Sequence, residues 1–152
     1  MSIKETLFKA CETFVNERLQ NVKQTISSNQ NALQSETKSS AGDKHETGRA
    51  MLQLEMEKAS QQLAGIAAMK AVLNKIDIAK QNNTAHLGSI IYTEKATYFL
   101  AISAGQIKVE NTVYFAVSIS SPIGKILLGK QKNENVSELR KRSMHTLYLS
   151  QN

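Results

Sequence analysis

The chain has 152 residues, enough for about one domain, and no apolar run approaches the ~20 residues of a membrane span, so no membrane partner is expected. A single cysteine, Cys11, excludes an internal disulfide framework, and CxxC zinc motifs are absent. Eight aromatic residues without Trp speak against a base-stacking surface, while nineteen Lys+Arg against thirteen Asp+Glu give a net +6 that suits an anionic partner.

The N-terminal MSIKETLFKA has no apolar h-region, so no signal peptide and a reducing cytoplasm are expected. Residues 1–80 hold no proline and read as helix. Val15, Leu19, Val22, Ile26 and Leu33 keep a coiled-coil spacing interrupted by Asn29, and Leu7, Phe8, Cys11 and Phe14 extend it towards the N-terminus. A second stretch runs Leu52, Met56, Ala59, Leu63, Ile66, Leu73 and Ile76, with Lys70 breaking it. Residues 35–48 have no large apolar side chain, and they carry Gly42 and several serines, which reads as a turn. Two helices of about 30 residues, at ~1.5 Å per residue, predict an antiparallel arm of about 45 Å. Such an arm encloses no pocket; it reaches.

After the polar break at 81–84 the period changes. Ser89–Thr93, Thr97–Ile102, Thr112–Ile119 and Thr146–Leu149 read as strands, rich in Ile, Val, Tyr, Phe and Thr. Ser121 at an N-cap, Pro122 at the first helical position and Gly129 at the C-terminal cap frame one short helix. The expected fold class is α+β, a coiled-coil hairpin over 1–82 with its tip near 35–47, then a small, mostly antiparallel sheet domain over 83–152. About 65 residues is near the lower limit for independent folding, so the sheet is expected to lean on the base of the arm.

Some residues invite chemistry. Asp43 and Glu46 fit a capping box, which starts a helix and stabilises it by about 1 kcal/mol. His45 between them reads as a solvated loop residue, since three ligands within four residues make a poorly organised metal site. Cys11 lies in the apolar period of the first helix and reads as a buried thiol. Arg140, Lys141 and Arg142, to whose basic balance Lys125, Lys130 and Lys132 add, read as a solvated turn, or else as a contact for an acidic protein partner. Met51, Met56 and Met69 read as hairpin packing.

Three features together resemble the Gre transcription elongation factors, the GreA/GreB family. Ile119-Ser120-Ser121-Pro122-Ile123-Gly124 followed by Leu127-Leu128-Gly129-Lys130 is similar to the family's "IS…SP…ALLGK" segment. Gly42-Asp43-Lys44-His45-Glu46 is similar to its acidic tip, and the order of helical hairpin then sheet is the same. The resemblance implies an FKBP-like sheet domain and bacterial RNA polymerase as partner. The hairpin would enter the polymerase secondary channel, and the sheet domain would dock at the channel's outer rim. Asp43 and Glu46 would there help to hold the second catalytic Mg²⁺ and position water for cleavage of a backtracked RNA 3′ end. The protein would then be a monomeric accessory factor that is not itself an enzyme, holds no cofactor in isolation, and meets the nascent RNA only indirectly. The partner contacts it implies are Ser121, Pro122, Gly124, Lys125 and Lys130.

The chain departs from the family where Asn, Ala, Glu and Tyr follow the tip Glu; here Thr47, Gly48, Arg49 and Ala50 stand. Residues 36–49 hold three acids and three bases, so the tip is neutral and its pull on Mg²⁺ weaker. A channel binder that inhibits or competes is therefore an alternative, as is a coiled-coil adaptor for another protein.

Overall fold

A computed structural model describes residues 2–38, 42–131, 135–138, 141–146 and 148–149, with side chains described at 2–35 and 47–131. The first helix, α1 (Ile3–Lys38), starts at a reciprocal capping box. The Glu5 amide donates to Ser2 Oγ at 3.1 Å, and the Ser2 amide donates to the Glu5 carboxylate at 3.3 Å. The second helix, α2 (Gly42–Asn74), follows after three residues. The expected turn at 35–48 is therefore shorter: 35–38 belong to α1 and 42–48 to α2, because Ser, Thr and Lys are tolerated within a helix when no proline intervenes.

The chain divides into two compact units, residues 15–69 and residues 1–14 with 70–152. The 15–69 unit is a pair of helices held by one narrow seam. Val15 and Val22 are buried seven residues apart on α1, as are Ala59 and Ile66 on α2. Leu19, Ile26, Asn29, Leu33, Leu52, Met56 and Leu63 are half-buried between and beyond them. Lys70 is exposed, and half-buried Met69 takes the seam position beside it, so α2 steps by three rather than four there. Asn29 keeps its seam position at a cost, since its Nδ2 is buried without a hydrogen-bond partner among the described residues.

In the other unit a five-stranded sheet has the order β3-β4-β2-β1-β7. Its strands are β1 (Ile90–Tyr92), β2 (Thr97–Ala101), β3 (Gly105–Val109), β4 (Thr112–Ser118) and β7 (Tyr148–Leu149). The sheet is mixed rather than wholly antiparallel. β3 takes the edge and β4 folds back between β3 and β2, so β4 runs parallel to β2, with Phe99 opposite Ala116. A separate two-stranded ribbon joins β5 (Asn135–Glu138) to β6 (Lys141–Thr146). Lys141 and Arg142, expected in a turn, lie in β6; Arg140 and Lys132 fall outside the described residues.

Phe99, Leu100 and Ala101 of β2 are all fully buried, so both faces of the central strand are covered. One cluster joins Ala85, Ile91 and Leu100 to Leu127 of the short helix α3 (Pro122–Leu127), with Tyr98, Val117, Ile123 and Ile126 packed around it. Leu7, Cys11 and Leu73, on the helical segments of this unit, are buried as well. Lys4 is 4% exposed, and its Nζ donates to the Lys80 carbonyl at 3.1 Å. Burial lowers its pKa, while nearby Asp77 partly restores it. Among the described residues no helix is long and apolar enough to cross a membrane.

Candidate functional site

The candidate residues fall in three places. The first is the start of α2. Gly42 opens the helix, Asp43 is its second residue and Glu46 its fifth, with Lys44 and His45 between. Three residues along a helix is a rise of ~4.5 Å, so the two acidic positions lie within one turn, at the end of the 15–69 unit where its helices meet. Both stand where the helix dipole favours negative charge. Helical backbone at Asp43 places it inside the helix, where a capping residue would stand just outside. The side chains of Asp43, His45 and Glu46 are outside the described set.

The second place is the turn into α3. Ser121 is the N-cap, with φ −70° and ψ 159°, and its Oγ accepts from the Gly124 amide at 3.1 Å. The same hydroxyl donates to the Ser118 carbonyl at 2.6 Å, while Ser118 and Ser120 pair through their hydroxyls at 2.8 Å. Pro122 occupies the first helical position, where its missing N–H costs nothing. Gly124 is buried against backbone: a Cβ there would lie 2.8 Å from the Ser118 carbonyl carbon, 2.9 Å from Ile119 Cα, and closer still to the Ser118 oxygen. Gly129, at φ +83°, turns the chain so that its amide donates to the Ala85 carbonyl at 2.9 Å. The Ala85 amide in turn donates to the Lys130 carbonyl at 2.8 Å. The serine, proline and both glycines of this motif therefore each have a structural task. Lys125, in the last turn of α3, is exposed, and Lys130 is half-buried.

The third feature is charge. Residues 15–69 carry six basic and six acidic residues, whereas residues 1–14 and 70–152 carry thirteen basic against seven acidic. The entire net +6 lies outside the helical arm. Residues 81–152 carry +4 of it and residues 70–80 the remaining +2, while residues 1–14 are neutral.

Two further groups were not expected from sequence. His86 Nδ1 lies 3.0 Å from the Thr84 carbonyl and 2.9 Å from Ser89 Oγ, and its Nε2 is buried without a partner among the described residues. Ser89 is itself buried, so this pair locks a turn and presents no accessible nucleophile. Tyr114 is buried, and its phenol pKa is raised, first by burial and then by Tyr92, with which it hydrogen-bonds, and by Glu110. Cys11 is fully buried and its thiol is pushed up to about 12. Among the described residues no group of three metal-ligating side chains converges.

No family model matches the chain, and no curated protein matches it. Similar solved structures include Gfh1 of Thermus aquaticus, at 17% identity and TM-score 0.33, covering 86% of this chain and 90% of that one. A structure of the transcription factor Gfh1 shares 16% identity at TM-score 0.33, covering 89% and 90%. GreA factor homolog 1 (Gfh1) of Thermus thermophilus shares 18% identity at TM-score 0.32, covering 86% and 90%. At those values the likeness assigns no role to any residue here.

Proposed function

We propose that this chain is a Gre-like transcription elongation factor that inserts the joined end of its helical arm into the secondary channel of RNA polymerase and stimulates cleavage of backtracked RNA. The observation that carries the reading is the pair Asp43 and Glu46, second and fifth residues of α2, at the end of a two-helix unit. From residue 15 to residue 38 that unit extends ~36 Å along α1. Two helices with one seam enclose no reaction chamber, so the chemistry belongs to the partner. Phosphodiester hydrolysis gains from two metals, one activating water and one stabilising the leaving oxygen. A carboxylate delivered in trans raises occupancy of a weakly held second Mg²⁺, an ion that prefers carboxylate oxygen and water. The protein is then an accessory factor, and the ion is the polymerase's own.

A second reading has a specific observation behind it. Lys38, Lys44 and Arg49 offset Glu36, Asp43 and Glu46, so the tip is neutral. A neutral tip attracts Mg²⁺ weakly yet fills a channel equally well, which would make the chain an inhibitor or competitor. Both readings require binding to polymerase. Co-sedimentation with core polymerase, challenged by an excess of an authentic Gre factor, tests that requirement. Displaceable binding supports either reading; absence of binding leaves an adaptor for some other protein.

A further inference from the structure

We propose that the arm carries a notch for a planar, uncharged heterocycle, a nucleobase, seated over Gly65. Gly65 lies in the interior of α2, where glycine costs about 1 kcal/mol relative to alanine. Among the described residues nothing requires it: its φ lies outside the left-handed region, and a Cβ there would meet nothing within 4 Å. The space above it belongs to a cavity of about 410 Å³ between α1 and α2. Val22, Ile66 and Met69 give that cavity an apolar floor, and Arg18, Asn21, Thr25 and Gln62 give it a polar rim.

The rim selects among occupants. Asn21 and Gln62 each offer a donor and an acceptor, and Thr25, whose hydroxyl donates to the Asn21 carbonyl at 3.0 Å, offers an acceptor. An apolar side chain seated here would take those groups out of water without replacing their hydrogen bonds, at about 1–3 kcal/mol for each group left unpaired. A phosphate would find one cation on an arm of zero net charge. A nucleobase supplies mixed donors and acceptors along its edge and a π-face for a guanidinium plane or a thioether. The scarcity of aromatic residues excludes a stacking platform but not this arrangement. A second concavity of about 400 Å³ shares Asn21 and Thr25 and adds Gln24, Ser28 and Asn29. Asn29 carries the buried unpartnered Nδ2, and residues 24–35 hold no charged side chain. The groove thus has neutral polar lining for a neighbouring base.

The base could come from a free nucleotide or from a single-stranded RNA. Ligand-observed NMR on the full chain, with the four nucleosides and with short unstructured trinucleotides as probes, separates these sources. Trinucleotides bound more tightly than nucleosides would assign RNA; equal affinity would assign the free compound. Gly65→Leu sets its Cβ in open space and extends a side chain into the notch, and should raise helix stability while weakening binding by about tenfold or more, the scale of one lost base-edge pair. Joint replacement of Asn21 and Gln62 by Leu should do the same with the helices intact by circular dichroism. The proposal is overturned if no nucleoside or trinucleotide binds, if Gly65→Leu binds as well as the parent, or if p-cresol binds where nucleosides do not.

Discussion

Gly124→Ala separates packing from propensity by sign. On helix propensity alone, alanine in α3 would stabilise the chain by about 1 kcal/mol. The structure predicts the reverse. The new Cβ would lie 2.8 and 2.9 Å from backbone carbons of Ser118 and Ile119, where ordinary contact begins at 3.4 Å, and nearer still to the Ser118 oxygen. None of those atoms belongs to a flexible side chain, so α3 must move outward by at least half an ångström. That movement also pulls on the Ser121 cap and on Leu127, which is 1% exposed against Ile91 and Leu100. Overpacking of this kind costs about 1–3 kcal/mol, partly offset by the propensity gain of about 1 kcal/mol, so a net loss of about 1 kcal/mol is expected. With a urea m-value of about 1–3 kcal/mol/M, the midpoint should fall by roughly 0.5 M in equilibrium unfolding of the full chain at unchanged m. Gly65→Ala, whose Cβ enters open space, should move the midpoint up. A Gly124→Ala midpoint equal to or above the parent's would refute the packing argument.

Other consequences follow from single environments. Cys11 should resist thiol reagents in the folded chain at pH 8 and react on unfolding, since it is fully buried and its thiol is pushed up to about 12. An unfolded thiol ionises near 9.0, so between that pH and about 12 the unfolded state holds fewer protons and stability falls as pH rises. The slope attributable to the thiol, at most about 1.4 kcal/mol per pH unit, should vanish from the pH profile of Cys11→Val. Glu110 sits at φ +56° in the two-residue β3–β4 turn, so Glu110→Gly should raise thermal stability by about 0.5–1 kcal/mol, the relief of that φ less the added freedom of the unfolded chain. Asn29→Leu should stabilise the arm by about 1–2 kcal/mol in urea unfolding, because it removes an unpartnered buried amide from the seam. An unchanged or lowered midpoint would mean that Nδ2 is satisfied in solution.

The helices were legible because their apolar residues keep a strict three-four spacing and no proline interrupts 1–80. Strands β1, β2 and β4 were legible because Ile, Val, Tyr and Phe crowd them. β3 and the β5–β6 ribbon were not. Gly105-Gln106-Ile107-Lys108-Val109 is an edge strand with no fully buried residue, and β5 and β6 read as polar segments. Such strands are set by pairing with a neighbour, which composition does not record. The parallel pairing of β2 with β4 was hidden for the same reason, since it follows from where β3 lies. At the sites, Ser121 and Pro122 announced the α3 cap from sequence, and the structure adds why Gly124 must follow. The notch over Gly65 left one trace in the sequence, a glycine within a helix that does not need one.

The central claim is that Asp43 and Glu46 act within the active site of RNA polymerase, and a transcript-cleavage assay tests it most directly. A backtracked elongation complex is assembled with the cognate polymerase, Mg²⁺ and the full chain are added, and shortening of RNA from its 3′ end is followed over time. Asp43→Ala and Glu46→Ala are run in parallel, with their polymerase affinity measured on the same preparations. The proposed function predicts faster shortening that both variants lose while still binding. Slowed elongation without shortening would contradict cleavage stimulation and establish the inhibitory reading.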